Sequence, residues 1–378
     1  MNHNAKTWVL FFLLTITSAV RAQTDLRSGL QTIADEFKAV GLAVVVIKDG
    51  KPIYKEAIGY KNLEQKEPLS TQDLFRIASI SKSFSATAIM QLVEQGRLSL
   101  DDDFGTLIGF PVRNPNFPEK VITLRMVLSH TSSINDRNGY FDLDVINPAK
   151  NPNWAKSYNT YEPGAGYEYC NLNFNMVGAV LELTTGQRFD NYIKKVILDP
   201  LHLRAGYCVD SLDQKRFATL YEYSKENDSF SPQPAAYNPR SEEIVNYTVG
   251  HSTPVFSPTG GMKISPEDLA TYMGMHMNYG KVGKKRILKE KSAKIMQTKL
   301  SDKEGYGLAL LETENLIPGI HLVGHTGSAY GLYSAMFFNP TKKYGFVVVT
   351  NGCVPTYENG FVALSAKTIN YLYKTLIE

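Results

Sequence analysis

The sequence predicts a mixed α/β fold in which one antiparallel sheet, built from both ends of the chain and flanked by helices, encloses an inserted and mostly helical region. Three observations predict it. Leu42 to Lys48 and Pro52 to Tyr60 are β-rich runs joined through Asp49-Gly50, a strong hairpin signal. Ile320 to His325, Leu332 to Asn339 and Tyr344 to Thr350 are three further β-runs near the other end, linked by short turns. Between these groups, from about Leu98 to Pro258, helical stretches alternate with loops rich in Pro, Asn and Tyr.

The elements follow in order. Leu26 to Val40 places Leu30, Ile33, Ala34 and Phe37 on one helical face. A helix from Ser79 to about Gln95 carries Phe84, Ala86, Ala88, Ile89, Met90, Leu92 and Val93 on more than one side and stops at Gly96, so it is expected to be buried all round. Thr123 to Leu128, Asn173 to Thr184 and Phe189 to Leu198 are the helical pieces of the middle region. Ser265-Pro266-Glu267-Asp268 caps a helix running to His276, and Phe361 to Ile377 closes the chain as an amphipathic helix.

Composition limits the functions available. The 378 residues with 43% hydrophobic content are enough for one full core, and a net charge of +3 with scattered lysines gives no basic stripe for nucleic acid. Lys6, the apolar stretch Trp8 to Val20 and the small residues around Ala22 predict a signal peptide over residues 1–22, with one folded domain over 23–378 and its helical insertion over roughly 98–258. That stretch is shorter than the roughly 20 residues a membrane span needs, so no stable anchor is expected after cleavage and the mature protein is expected to be periplasmic or secreted. Cys170, Cys208 and Cys353 cannot all pair, and metal-ligand spacing is missing. His321 and His325 would lie about 13 Å apart in a strand, too far for one ion. No metal and no cofactor are expected.

Three short motifs carry chemistry. Ser79-Ile80-Ser81-Lys82 puts a hydroxyl and an amine on one helical face at a helix start, where free N–H groups favour negative charge. Lys82 needs burial or a neighbouring cation to act as a base near pH 7, at a cost of about 4 kcal/mol. Tyr169-Cys170-Asn171 adds a phenol and an amide, and His325-Thr326-Gly327 lies on a strand. Lys82 and Tyr169 cannot both be fully shifted, so they are expected to share a proton. Ser133-Ile134-Asn135 is a rival for the middle motif, and His130 is expected to be a structural histidine satisfied by the backbone. Gly260-Gly261 is expected to let the backbone turn closely beside the site. The aromatic stretch Tyr158 to Tyr169 fits either a loop packed on its own rings or a wall of an acyl pocket.

In this order, with Leu128-Ser129-His130-Thr131, Pro163-Gly164 and Tyr306-Gly307-Leu308 between, the motifs resemble those of the serine β-lactamase and penicillin-binding DD-peptidase superfamily, in its class C-like branch, over about Leu26 to Leu376. The resemblance implies a β-lactamase/transpeptidase-like sandwich with Ser79 as the acylated nucleophile and Lys82 with Tyr169 as the base pair. It further implies Asn171, His325, Thr326, Gly327 and Ser328 as substrate contacts, with the N–H groups of Ser79 and Ser328 as the oxyanion hole. His325 departs from the lysine usual in relatives that hydrolyse β-lactams, and Cys170 stands where serine or alanine is usual. A small-molecule or peptide substrate follows, peptidoglycan-derived peptides included: a D-amino-acid peptide, another small amide or an ester. A β-lactamase and a non-catalytic penicillin-binding protein remain the alternatives.

Overall fold

The computed structural model describes residues 25–378, so the expected signal peptide lies outside the described residues. Helix α1 covers residues 25–36. It leads into strands β1 (Gly41–Lys48), β2 (Lys51–Asn62) and β3 (Glu67–Pro68). The chain returns to the same sheet only in its last quarter, with β4 (Leu311–Thr313), β5 (Leu322–Ala329), β6 (Leu332–Asn339) and β7 (Tyr344–Gly352). The order across the sheet is β4-β5-β6-β7-β1-β2-β3. Every pairing is antiparallel, and the two chain ends are stitched together where β1 runs along β7, Ala43 opposite Val349. The β1–β2 turn has Asp49 at φ 51° and Gly50 at φ 76°, the two left-handed positions a tight hairpin needs.

The unbroken apolar run of β1 reflects burial on both faces. Ala43, Val45 and Ile47 enter one core, while Leu42, Val44 and Val46 enter the other. The second core is closed by α1 and by the last helix, Ala363–Leu376, through Leu30, Phe37, Leu364 and Ile369. The first core is closed by the helical region.

At its centre lies α2 (Ser81–Glu94), buried from Ser81 to Met90. Beside it runs α3 (Asn171–Thr185), and α4 (Pro266–Met277) packs on the sheet from the same side, its N-terminus capped by Ser265 Oγ accepting from Asp268 N–H at 3.1 Å.

Three departures from expectation bear on the site. Ser79 does not cap α2; it sits in a 3-10 turn, Ala78–Ile80, that precedes the helix. Asn171 is the first residue of α3, two positions earlier than the apolar pattern indicates. Strand β5 continues past His325 to Ala329, since pairing with β6 carries it through Thr326, Gly327 and Ser328. The edge strand β4 and the hairpin Tyr221–Ser224/Ser229–Pro232 were not anticipated; their short, polar segments carry too little alternation to mark them.

Candidate active site

Between Asp73 and Met90, Ser79 is the one residue that is not buried. The preceding Ala78 holds φ at +50°, a left-handed conformation that costs an alanine of order 1 kcal/mol or more. Strand β5 helps to hold that turn. A Cβ on Gly327 would come within 2.2 Å of the Ile77 carbonyl oxygen, and Ser334 Oγ donates to the same oxygen at 3.0 Å. Glycine at position 327 therefore lets the strand lie directly against the turn that presents Ser79.

Lys82 projects from the first turn of α2 into a fully buried position. Its Nζ lies 3.2 Å from Ser79 Oγ and donates to Asn171 Oδ1 and to the Thr259 carbonyl, both at 2.9 Å. Burial pulls its pKa down to about 7, opposed by the negative charge of Asp136. Holding a charged ammonium there would cost about 5 kcal/mol relative to water. The carbonyl of Thr259 is supplied by the loop before Gly260-Gly261, and a Cβ on Gly261 would meet the Phe256 carbonyl oxygen at 2.0 Å. The tight turn expected of the two glycines is what lets this loop close over the amine.

Tyr169 completes the group. The Lys82 nitrogen lies 4.7 Å from the centre of its ring, and the nearby Ser79 hydroxyl pulls the phenol pKa slightly down against the effect of burial. The residue keeps 36% of its surface open, yet its phenol end lies among Lys82, His130 and Tyr306, and that burial holds its pKa well above the ordinary phenol value. The tyrosine is a neutral phenol at pH 7. Burial thus lowers the amine while it raises the phenol, so of the two groups expected to share a proton only Lys82 is shifted toward acting as the base.

Asn171 is tied at both ends of its amide. Besides Lys82, its Oδ1 accepts from Thr259 Oγ1 at 2.8 Å, and its Nδ2 donates to Asp136 Oδ2 at 3.0 Å. Asp136 was missed in the sequence, although it directly follows the rival motif. Its carboxylate also accepts the N–H groups of Asn171 and Leu172, at 2.8 and 2.9 Å, and the thiol of Cys170 at 3.2 Å. It caps α3 from a loop 35 residues upstream, so no local pattern marks it. The rival motif itself lies elsewhere: Ser133 Oγ accepts from Asn114 Nδ2 at 2.5 Å, and Asn135 donates to Asn159 Oδ1 at 3.2 Å in a buried polar network.

His325 stands differently from an expected substrate contact. It is 3% exposed and both ring nitrogens are engaged. Nδ1 donates to the Thr326 carbonyl at 2.5 Å, so Nε2 must accept from the Tyr306 hydroxyl at 2.9 Å. Burial, with Lys82 nearby, pushes its pKa down to about 4, so the ring is neutral. It braces the wall behind Tyr169, with ring centres 6.3 Å apart, while Thr326 is half-buried and Ser328 exposed along the same strand. The aromatic stretch before Tyr169 divides: Tyr161 packs under Gly166, whose Cβ would lie 2.6 Å from the ring, while Tyr167 faces Tyr306 at 5.8 Å. All three cysteines are buried and free, and among the described residues no group of three His, Cys, Asp or Glu side chains could hold a metal ion.

Comparison with known proteins agrees with this geometry. Residues 30–363 match the Beta-lactamase family. Protein flp of Staphylococcus aureus (strain MRSA252) is 26% identical over 329 residues, covering 82% of this chain and 59% of that protein; the chain thus spans little more than half the length of that curated relative. The octameric penicillin-binding protein homologue from Pyrococcus abyssi superposes with a TM-score of 0.72 at 27% identity, over 93% of this chain and 77% of that one. The D-amino acid amidase from Ochrobactrum anthropi SV3 superposes with a TM-score of 0.69 at 19% identity, over 93% and 99%. With a family match that spans both halves of the sheet and the whole helical region, this chain belongs to the β-lactamase family, in the class C-like branch with the penicillin-binding proteins.

Proposed function

We propose that the protein is a serine hydrolase that acts through an acyl-enzyme on Ser79, taking a small amide, a D-amino-acid peptide or an ester. The observation that carries this reading is the environment of the Lys82 amine. Two of its three partners, the Asn171 and Thr259 oxygens, only accept. A neutral amine gives them its two hydrogens and is left with a lone pair aimed at the third partner, the Ser79 hydroxyl at 3.2 Å.

The steps follow from this poise. Lys82 takes the Ser79 proton as Oγ attacks the carbonyl carbon, and the oxyanion is held by the N–H groups of Ser79 and Ser328. The Tyr169 phenol gives its proton to the departing oxygen or nitrogen and is reprotonated from the Lys82 ammonium. Water then attacks the Ser79 ester by the reverse proton path and releases the acid. Asp136 is not the base for that water, because its two oxygens already accept from four donors. Asn171 orients Lys82, and its remaining amide hydrogen is available to a substrate carbonyl.

The neutral and doubly bonded His325 supports preference for esters and simple amides over β-lactams, whose carboxylate is left without a cation on that wall. The relative described as a D-amino acid amidase supports the amide arm of the reading. A periplasmic or secreted location is proposed on residues 1–22 alone, and N-terminal sequencing of the mature protein checks it.

Labelling with a fluorophosphonate and mapping the adduct tests the chemistry. The adduct is expected on Ser79, and Ser79→Ala is expected to abolish turnover of a short-chain nitrophenyl ester. Retained turnover in Ser79→Ala overturns the proposal. A cephalosporin turned over faster than the ester overturns the preference assigned to His325.

A further inference from the structure

His130 borders the site yet has no part in the steps above, and it is 1% exposed. Its main chain and its side chain both hold the segment that carries Tyr169. The His130 carbonyl accepts the Glu168 N–H at 3.0 Å, and its Nδ1 accepts the Cys170 N–H at 3.1 Å. These two bonds fall on the residues either side of Tyr169. Between them the imidazole lies against the phenol, with ring centres 4.4 Å apart and planes at 37°. Phe174 at 5.3 Å and Tyr306 at 4.9 Å close in on the imidazole.

Two features set His130 apart from a space-filling residue. Its φ is +60°, a conformation that asparagine and glycine adopt more readily. Because Nδ1 accepts, the ring proton sits on Nε2, and that buried donor has no partner. An apolar side chain would avoid both the orphan donor and its desolvation. What it would lose is the acceptor for Cys170 and the flat ring against Tyr169.

We propose that His130 is a positioning residue for Tyr169: it grips the backbone on both sides of the tyrosine and lays its ring on the phenol, fixing where the hydroxyl meets Ser79. The inference rests on the proton-relay role given to Tyr169. It places the effect of His130 in the chemical step, because a phenol displaced by an ångström still admits substrate but no longer meets the leaving group.

The experiment is a double-mutant cycle on ester turnover, with His130→Gly and His130→Asn each made alone and in a Tyr169→Phe background. Both replacements tolerate the backbone conformation, and only asparagine offers an acceptor to Cys170. His130→Gly is expected to lower kcat roughly 30-fold with KM within about twofold. His130→Asn is expected to recover a large part of that loss. In the Tyr169→Phe background both His130 changes are expected to alter kcat by less than about twofold, since the group they position is gone.

Losses that multiply across the cycle overturn the proposal, as does an asparagine variant no better than glycine. Thermal melts accompany each variant. Should the glycine variant fail to fold, the asparagine arm decides by itself, since loss of the ring contact still predicts a defect that vanishes with Tyr169. A wild-type protein that neither turns over ester nor labels at Ser79 overturns the hydrolase reading and this inference together, whereas an active, labelled wild type with multiplicative losses overturns this inference alone.

Discussion

Asp136 holds Asn171 twice through one carboxylate oxygen, accepting its main-chain N–H at 2.8 Å and its side-chain amide at 3.0 Å. The first bond starts α3 at Asn171. The second turns the amide so that its oxygen faces Lys82. Helix capping and orientation of the amine are therefore one interaction. Replacing the carboxylate with an amide by Asp136→Asn removes the charge that raises the Lys82 pKa. The acid limb of the kcat/KM profile is expected to move below its wild-type position near pH 7, with activity down roughly 10- to 100-fold from lost orientation. Steady-state rates from pH 5 to 9 check both parts, and an unmoved limb contradicts the electrostatic part.

The depressed Lys82 pKa has consequences for rate and for stability. Activity is expected to rise with pH through about 7 as the amine loses its proton. Lys82→Arg, charged at every accessible pH, is expected to lower kcat by at least about a thousandfold. For stability the sign is opposite to that of a salt-bridged lysine. An unfolded lysine titrates near 10.4, so between pH 7 and 10.4 the unfolded chain binds the extra proton. The Lys82 contribution to stability therefore increases with pH across that window and is constant below it. Denaturant unfolding of wild type against Lys82→Met measures this as a difference in slope.

Gly327→Ala tests the contact between β5 and the nucleophile turn. The added methyl would sit 2.2 Å from the Ile77 carbonyl oxygen and 2.5 Å from Ser334 Oγ, so the strand must move away. A loss of roughly 1–3 kcal/mol in stability is expected, as for overpacking in general. Fluorophosphonate labelling of Ser79 is expected to slow more than tenfold at temperatures where the variant is folded. Unchanged labelling would show that the turn holds its shape without the strand.

Buried neutral histidines predict an acid-sensitive fold. Burial lowers the pKa of His325 to about 4 and that of His276 to about 3. Unfolded histidine titrates near 6.5, so the unfolded chain binds more protons below that value. Stability is expected to fall from pH 6.5 down to about 4 for His325 and about 3 for His276, then level off. His325 contributes about 3 kcal/mol over its window and His276 about 5 kcal/mol over its wider one. His276 donates to or accepts from Tyr272 at 3.0 Å away from the site, so His276→Gln is expected to flatten the acid slope without changing kcat. Unfolding free energies at pH 7, 5.5 and 4 give the comparison.

The sequence by itself determined the two-ended sheet and the motif-bearing elements. Those are set by signals within a few residues: the Asp49-Gly50 turn, the apolar runs of β1 and β7, the Ser265 cap and the all-round apolarity of α2. It also placed Ser79 and Lys82 three residues apart, within reach of each other across the 3-10 turn and the first turn of α2. Only the tertiary structure decided how those groups are charged and held. Desolvation comes from every element packed around a side chain, so the pKa of Lys82 depends on that burial and on the charge of Asp136, which lies far from it in the chain. The same reason hid Asp136, whose partners begin 34 residues later, and turned His325 from an expected substrate contact into a brace saturated by Tyr306 and its own strand. Local pattern fixes which residues face inward, whereas proton affinity and hydrogen-bond direction depend on which distant atoms arrive beside them.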